Sequence, residues 1–330
     1  MRNLVIGAPG FVAMALTEAL LVRGDQVRAL VQPGRRPSRL DELDVEVRTV
    51  SLADNAGLMA ATQGIERLFF CEWSFRDWGV EELSEQTAER GLRNVMAAAT
   101  RNQIGRLIYL STTDVYGFPG SPVDERGQLA PPGLPYADAK ARAELLVWER
   151  ARRVQLPVVT LRPTTVYGPG AREFGMDLIE RLRQRRIVLV DEGRHVAGLT
   201  YVGNLVDAML LAAESEQAVG QAYNVNDDSD VTWSAYLQAL ATLVEVPPPR
   251  KSYARGRAMA MAWAWETFYQ LSGRNERPPL TRLLVEVMGV DQRYSIAKAQ
   301  RELGYRPRVP FEQGMREMAD WMQREGMAAW

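Results

Sequence analysis

The chain of 330 residues has one cysteine, one histidine and almost no net charge. Cys71, being alone, cannot close an internal disulfide, which fits a reducing, cytoplasmic setting. His195, being alone, argues against a histidine-built metal site and against a serine–histidine hydrolase. The 40 Lys and Arg are offset by 41 Asp and Glu, for a formal charge of −1, so no basic field invites nucleic acid. Long apolar runs are also missing. The N-terminus becomes polar and glycine-rich by Gly7, too soon for a secretory signal. The most apolar later stretch, 258–271, carries Glu266, Thr267 and Gln270 and is too short to cross a bilayer. No internal repeat and no low-complexity tract is found. What remains is ordinary globular composition, 46% hydrophobic and 25% charged, with chain enough for a large core.

The first pattern present is a strand, a glycine turn and a helix. Leu4-Val5-Ile6 reads as a buried parallel strand. It runs into Gly7-Ala8-Pro9-Gly10-Phe11-Val12-Ala13. Val12, Ala15, Leu16, Ala19 and Leu20 then recur at helical spacing until Gly24, and Val27 to Val31 forms a second strand. A β-turn-α-β unit within about thirty residues is the dinucleotide-binding unit. Its glycines admit a pyrophosphate to the backbone, and the helix N-terminus offers free amides and a positive dipole end. A tight turn without a ligand is the alternative.

Strands and helices go on alternating: 45–50, 67–70, 106–111 and 157–162 as strands, 55–62 and 82–100 as helices. This predicts an α/β fold, a doubly wound parallel Rossmann sheet covered on both faces. Ligands in such sheets bind beyond the carboxyl ends of the strands. Gly7 to Gly10, Ser111-Thr112-Thr113 and Arg162 to Gly168 stand at such ends. After Gly170 the pattern loosens into helices. The expected division is a dinucleotide-binding part, 1–170, to which 197–227 returns, and a smaller, mostly helical substrate-binding part over the rest of 171–330.

Between the second and third of those stretches lies Leu134-Pro135-Tyr136-Ala137-Asp138-Ala139-Lys140, opening another helix. Tyr136 and Lys140 are four apart and share one face of it. A phenol beside an ammonium can give and take a proton, and the positive charge draws its pKa down from roughly 10. A surface helix with the same spacing by chance is the other reading of the pair alone.

Taken in order, these residues resemble the extended short-chain dehydrogenase/reductase family. The resemblance spans nearly the whole chain. It rests on the glycine loop, Leu110-Ser111-Thr112-Thr113-Asp114-Val115-Tyr116-Gly117, the Tyr136/Lys140 pair, Leu161-Arg162-Pro163-Thr164-Thr165-Val166-Tyr167-Gly168 and the ending 296–305. It implies that Thr112 binds the reacting oxygen and Tyr136 passes the proton. Lys140 would bind the nicotinamide ribose, with Pro163 and Val166 beside the nicotinamide. Gly7, Gly10, Phe11, Val12, Gln32 and Leu52 are expected to complete the cofactor contacts. A homodimer through the 82–100 and 136–153 helices is implied as well.

Tyr201-Val202-Gly203-Asn204 and Pro278 to Arg282 look like the 3β-hydroxysteroid dehydrogenase-like branch, and the Met- and Trp-rich 259–269 segment suits an apolar substrate wall. NAD-binding members end the second strand with an acid. Val31 and Gln32 stand there instead, and Arg35 and Arg36 are within reach of a 2′-phosphate. NADP(H) is therefore expected, with NAD(H) as the alternative. Departures from the family pattern are Ala13, Ser51, Ala88 and Cys71-Glu72-Trp73. The expected function is interconversion of a hydroxyl and a keto group on a fairly apolar substrate. A nucleotide-sugar epimerase or dehydratase with bound NAD, or a non-catalytic dinucleotide-binding regulatory protein, are the other readings.

Overall fold

A computed structural model describes residues 1–35, 39–71, 78, 82–273 and 276–327, with 82–87 described by backbone alone. The N-terminal half runs β1 (Arg2–Ala8), α1 (Phe11–Val22), β2 (Gln26–Val31), β3 (Glu46–Thr49), α2 (Asn55–Thr62), β4 (Arg67–Phe70), α3 (Glu82–Arg101), β5 (Arg106–Leu110), α4 (Pro135–Val154), β6 (Val158–Pro163) and β7 (Thr165–Tyr167). The remainder runs α5 (Asp177–Arg183), β8 (Leu189–Val190), β9 (Leu199–Tyr201), α6 (Val202–Glu214), β10 (Ala222–Val225), α7 (Trp233–Leu243), β11 (Ser252–Tyr253), α8 (Arg255–Leu271), α9 (Arg282–Gly289), α10 (Ala297–Leu303) and α11 (Phe311–Arg324).

Seven parallel strands form one sheet in the order β3-β2-β1-β4-β5-β6-β10. Side chains alternate across its two faces, as strand geometry requires. Val5 faces a cluster with Leu16 and Leu20 of α1, Met209 of α6 and Leu303 of α10. Leu4 and Ile6 face the other cluster, with Leu92, Val95 and Met96 of α3 and Leu146 and Val147 of α4. Full burial of each such side chain is worth about 1.5–3 kcal/mol. The chain winds outward from β1 to β3, returns to β4, and winds the other way to β10. The switch between β1 and β4 opens a crevice at their carboxyl ends, where such folds bind ligands.

A third apolar cluster holds the C-terminal helices together. Tyr167, Tyr201, Trp233, Tyr236 and Phe311 pack ring against ring at its centre. α11 comes so close at Gly314 that an added Cβ would stand 2.7 Å from the Tyr167 hydroxyl. Asn204 ties this region to the sheet. Its side-chain oxygen accepts from the amides of Arg308 and Val309 at 2.9 and 3.0 Å, and its Nδ2 donates to Asp227 and to the Val309 carbonyl. All its hydrogen-bonding capacity is spent on structure.

Residues 172–176 form a turn of π-helix before α5, with Phe174 off helical geometry at φ −101°. The Met- and Trp-rich segment lies within α8, which buries Ala258, Ala262, Glu266 and Tyr269 but leaves Trp263 61% and Phe268 50% exposed. The tryptophan-bearing face therefore points outward from the packed core. Helical spacing, not residue type, decides which side is buried.

Beneath the sheet's carboxyl edge, Arg162 of β6 pairs with Glu144 of α4, both almost fully buried. Glu144 also accepts from Ser111 Oγ at 2.6 Å and Trp148 Nε1 at 3.1 Å. Arg162 also donates to the Tyr116 hydroxyl, which donates to Asn224 of β10 at 2.9 Å. Removing one member of a buried pair leaves the other charge uncompensated, at a cost of about 3–5 kcal/mol. Glu144→Gln should lower the urea midpoint by a corresponding amount, and a loss below about 1 kcal/mol would refute a structural role for the pair.

Candidate active site

The glycine loop follows β1 because the chain must turn sharply from strand into helix. Gly7 takes φ +114°, open only to glycine without strain, and its carbonyl accepts from the Gly10 amide at 2.8 Å. A Cβ on Gly10 would come within 2.6 Å of that same oxygen. Gly10 is thus required by the loop itself. No side chain caps α1 and no acid stands in its first turn, so the amides at Phe11, Val12 and Ala13 face outward beside a positive dipole end. This cradle fits a dinucleotide pyrophosphate.

Val31 is buried at the end of β2 and Gln32 is half-buried after it. Arg35 is exposed and its amide donates to the Gln32 carbonyl at 3.2 Å. Arg36 and Glu72 lie outside the described residues. Leu52 is buried against Gly91 of α3, and its carbonyl accepts from Asn94 Nδ2 at 2.9 Å. Arg39, which the sequence reading passed over, reaches back to Glu18 of α1 at 3.3 Å. Its guanidinium and the Phe11 ring both lie within 4 Å of the Cβ position of Gly170, so the loop after β7 closes over the first turn of α1.

Beyond β5, Thr112 leads into a 3-10 turn, Thr113–Tyr116. Its Oγ accepts from the Asp114 amide at 3.2 Å. Pro135 opens α4, where its missing N–H costs nothing, and sets Tyr136 on the first turn. Lys140, one turn on and 2% exposed, donates to the Leu110 carbonyl at 2.7 Å and lies 5.3 Å from the centre of the Tyr109 ring. Pro163 is buried at the end of β6, where its carbonyl accepts from Thr113 Oγ at 3.4 Å, and Val166 is half-buried on β7.

The charges in this group act on one another. Burial brings Lys140 down to about 7, against the pull of Glu144, Asp114 and Cys71. Burial pushes Asp114 up to about 7, against Lys140 and the Thr112 hydroxyl. The Tyr136 phenol is pushed well above its ordinary value, first by burial and then by Asp114 and Glu173. The expected depression of Tyr136 by Lys140 is therefore outweighed in this protein. The phenol is neutral, and a neutral phenol is a proton donor.

Thr112, Tyr136 and Lys140 thus meet around Asp114. The glycine loop and Cys71, whose amide donates to the Ile6 carbonyl at 2.8 Å, stand at the neighbouring strand ends. Arg35 lies apart, beyond β2. Sequence reasoning missed Asp114 and Glu173. Asp114 was already visible within the 110–117 motif. Glu173 owes its place to a π-turn that helical spacing does not announce.

A doubly wound sheet, a glycine cradle at its switch point and a Tyr/Lys pair define an NAD(P)-dependent enzyme of the extended short-chain dehydrogenase/reductase type. Residues 3–226 match the NAD dependent epimerase/dehydratase family, and the chain belongs to it. The chain is 32% identical to a 2-alkyl-3-oxoalkanoate reductase of Stenotrophomonas maltophilia (strain K279a), over 96% of this chain and 98% of that one. It is 30% identical to a 4-hydroxy-2-methyl-3-oxo-4-farnesyl-3,4-dihydroquinoline-1-oxide ketoreductase of Stigmatella aurantiaca, over 96% and 95%. Among solved structures it is similar to gox2253, with a TM-score of 0.83, 25% identity and 99% of each chain covered.

Gly10→Val should open the Gly7–Gly10 turn and abolish cofactor binding in a calorimetric titration, with the far-ultraviolet circular dichroism of the sheet retained. Unchanged affinity for both NADH and NADPH would remove the loop from the site.

Proposed function

We propose that the protein is an NADP(H)-dependent ketoreductase, interconverting a keto group and a hydroxyl on a fairly apolar substrate through Thr112, Tyr136 and Lys140. The observation that carries this reading is the neutral Tyr136 phenol grouped with Thr112 and Lys140 beside the crevice. Phe11, Phe118, Val166 and Phe174 pack half-buried on the same apolar cluster as Tyr136, which suits a substrate of low polarity. Two reductases of oxo compounds among its relatives point the same way.

In this reading Thr112 donates a hydrogen bond to the carbonyl oxygen and fixes its place. A nicotinamide bound there would supply the hydride. As the new C–H bond forms at the carbonyl carbon, Tyr136 gives its phenolic proton to the oxygen, and the Lys140 ammonium compensates the phenolate left behind. Lys140 donates to the Leu110 carbonyl and in this reading also binds the cofactor ribose. Pro163 and Val166 flank the nicotinamide, Phe11 and Val12 meet the pyrophosphate, and Gln32 and Leu52 meet the adenosine end. Residues after 170, apart from those returning to the sheet at β10, form the substrate side. The helices α3 and α4, joined by Arg142 and Glu89 at 3.3 Å, offer a homodimer face on which Leu145 is 55% exposed. A single cysteine, Cys71, suits a cytoplasmic protein.

The rival reading, a nucleotide-sugar epimerase or dehydratase holding NAD, draws on the family's name. A panel of long-chain β-keto acids, sterols and nucleotide sugars with each cofactor separates the two.

Tyr136→Phe should bind cofactor as before and lose about 10²–10⁴-fold in kcat, the usual contribution of a general acid or base. A variant within about threefold of the parent protein would sink the assignment.

Cofactor preference is tested at the end of β2. A charge-assisted hydrogen bond to phosphate contributes about 1.5–3 kcal/mol. Arg35→Ala with Arg36→Ala should therefore weaken NADPH roughly ten- to a hundredfold and leave NADH nearly unchanged. Equal losses for both would make the arginines structural, and a parent protein that prefers NADH would reverse the cofactor choice.

A further inference from the structure

Asp114 is an acid that the proposed chemistry leaves without a task. Its turn is fixed from behind. Thr113 and Val115, on either side, are 1% and 0% exposed, and Thr113 Oγ donates to Pro163. Tyr116 is held by Arg162 and Asn224. Asp114 alone of the turn is partly open. Other acids packed into this protein have definite partners: Glu144 has Arg162, Glu266 has Arg282 at 2.6 Å, and Glu125 accepts the Asn224 amide at 2.9 Å. Among the described residues, the Asp114 carboxyl makes no ion pair within 4.0 Å, and the Thr112 hydroxyl is its hydrogen-bonding neighbour. Its neighbours are the Thr112 hydroxyl on its own turn, Tyr136 and Lys140 from α4, and Tyr294 from the segment before α10. A carboxyl so placed has acceptor capacity left for a ligand.

We propose that Asp114 is a substrate subsite beside the reacting oxygen, accepting a hydrogen bond from a hydroxyl on the carbon next to the carbonyl. This rests on the ketoreductase reading and narrows it to α-hydroxy ketones, or vicinal diols in the reverse direction. Thr112 holds the reacting oxygen, and Asp114 adjoins Thr112, so the group it meets is vicinal to that oxygen. A substrate carboxylate in the same place meets a like charge. Burial brings the Asp114 carboxyl to about 7. It is neutral below that pH and a full carboxylate acceptor above it, so preference for the hydroxylated substrate rises with pH. Lys140 titrates in the same range and acts on Asp114, and Asp114→Asn, which keeps Lys140, separates its part from that of the carboxyl.

The test compares kcat/KM for a 2-hydroxy ketone, the same ketone without the hydroxyl, and a 3-oxo acid of equal length. Each is measured from pH 6 to 9 in the parent protein and in Asp114→Asn. A hydrogen bond to a charged group is worth roughly ten- to a hundredfold. The parent's preference for the hydroxy ketone should approach that range at pH 9 and fall towards a few-fold at pH 6. In Asp114→Asn the ratio should be small and flat with pH, and the 3-oxo acid should gain relative to the plain ketone. A parent ratio that does not change with pH, or one that Asp114→Asn leaves intact, overturns the proposal. If no ketone turns over, the reductase reading fails by itself. The subsite is then judged by calorimetric binding of the two ketones to cofactor-loaded protein, where equal affinities refute it.

Discussion

The site depends on one buried ion pair. Arg162 and Glu144 sit under the carboxyl ends of β5 and β6, and between them they engage Ser111, Tyr116, Trp148 and, through Tyr116, Asn224. Those partners come from α4, the end of β5 and the turn after it, and β10. A pair of this kind adds little net stability over an apolar replacement, but it is costly to break from one side. What it provides is position. Glu144 is one helical turn beyond Lys140, so holding Glu144 against the sheet also fixes where Lys140 meets Leu110 and where Tyr136 stands on the first turn of α4.

Burial, more than pairwise attraction, sets the charge states nearby. Tyr136, Lys140 and Asp114 are each driven towards the neutral form, and in each case desolvation is the largest cause. Near neutral pH the site holds a donor phenol, and an ammonium and a carboxyl that both titrate in the same range. Lys140 and Asp114 can therefore each release or take up a proton at low cost near neutral pH, while Tyr136 stays protonated until charge develops beside it.

Much of this fold was legible from periodicity. The buried run Leu4-Val5-Ile6, the glycine turn and the α1 stripe together specify the first unit, and the alternation of strands and helices specifies a parallel sheet. Two- and three-residue strands such as β7, β8, β9 and β11 are too short to show a period, and long-range contacts decide them. The buried side of α8 follows its helical stripe, Ala258, Ala262, Glu266 and Tyr269, and leaves the tryptophans outside it. Thr112, Tyr136 and Lys140 stood out through spacing and resemblance. Asp114 carried no spacing signal, since its character comes first from burial and then from Lys140, neither of which its own stretch of sequence announces. Arg39 was hidden for the same reason, as its neighbour Gly170 is distant along the chain.

Asn204 sets a limit on recombining this chain with its relatives. Its side chain reads the backbone at 308 and 309 and the carboxyl of Asp227 together, while Tyr201 reaches Glu317 on α11. The tail is therefore not a detachable cassette. A chimaera that exchanges the last thirty residues but keeps 201–227 from another parent would bring mismatched halves of one polar junction into the interior. A crossover that moves 201–227 and 304–318 as a block respects it, even though some eighty residues separate the two segments.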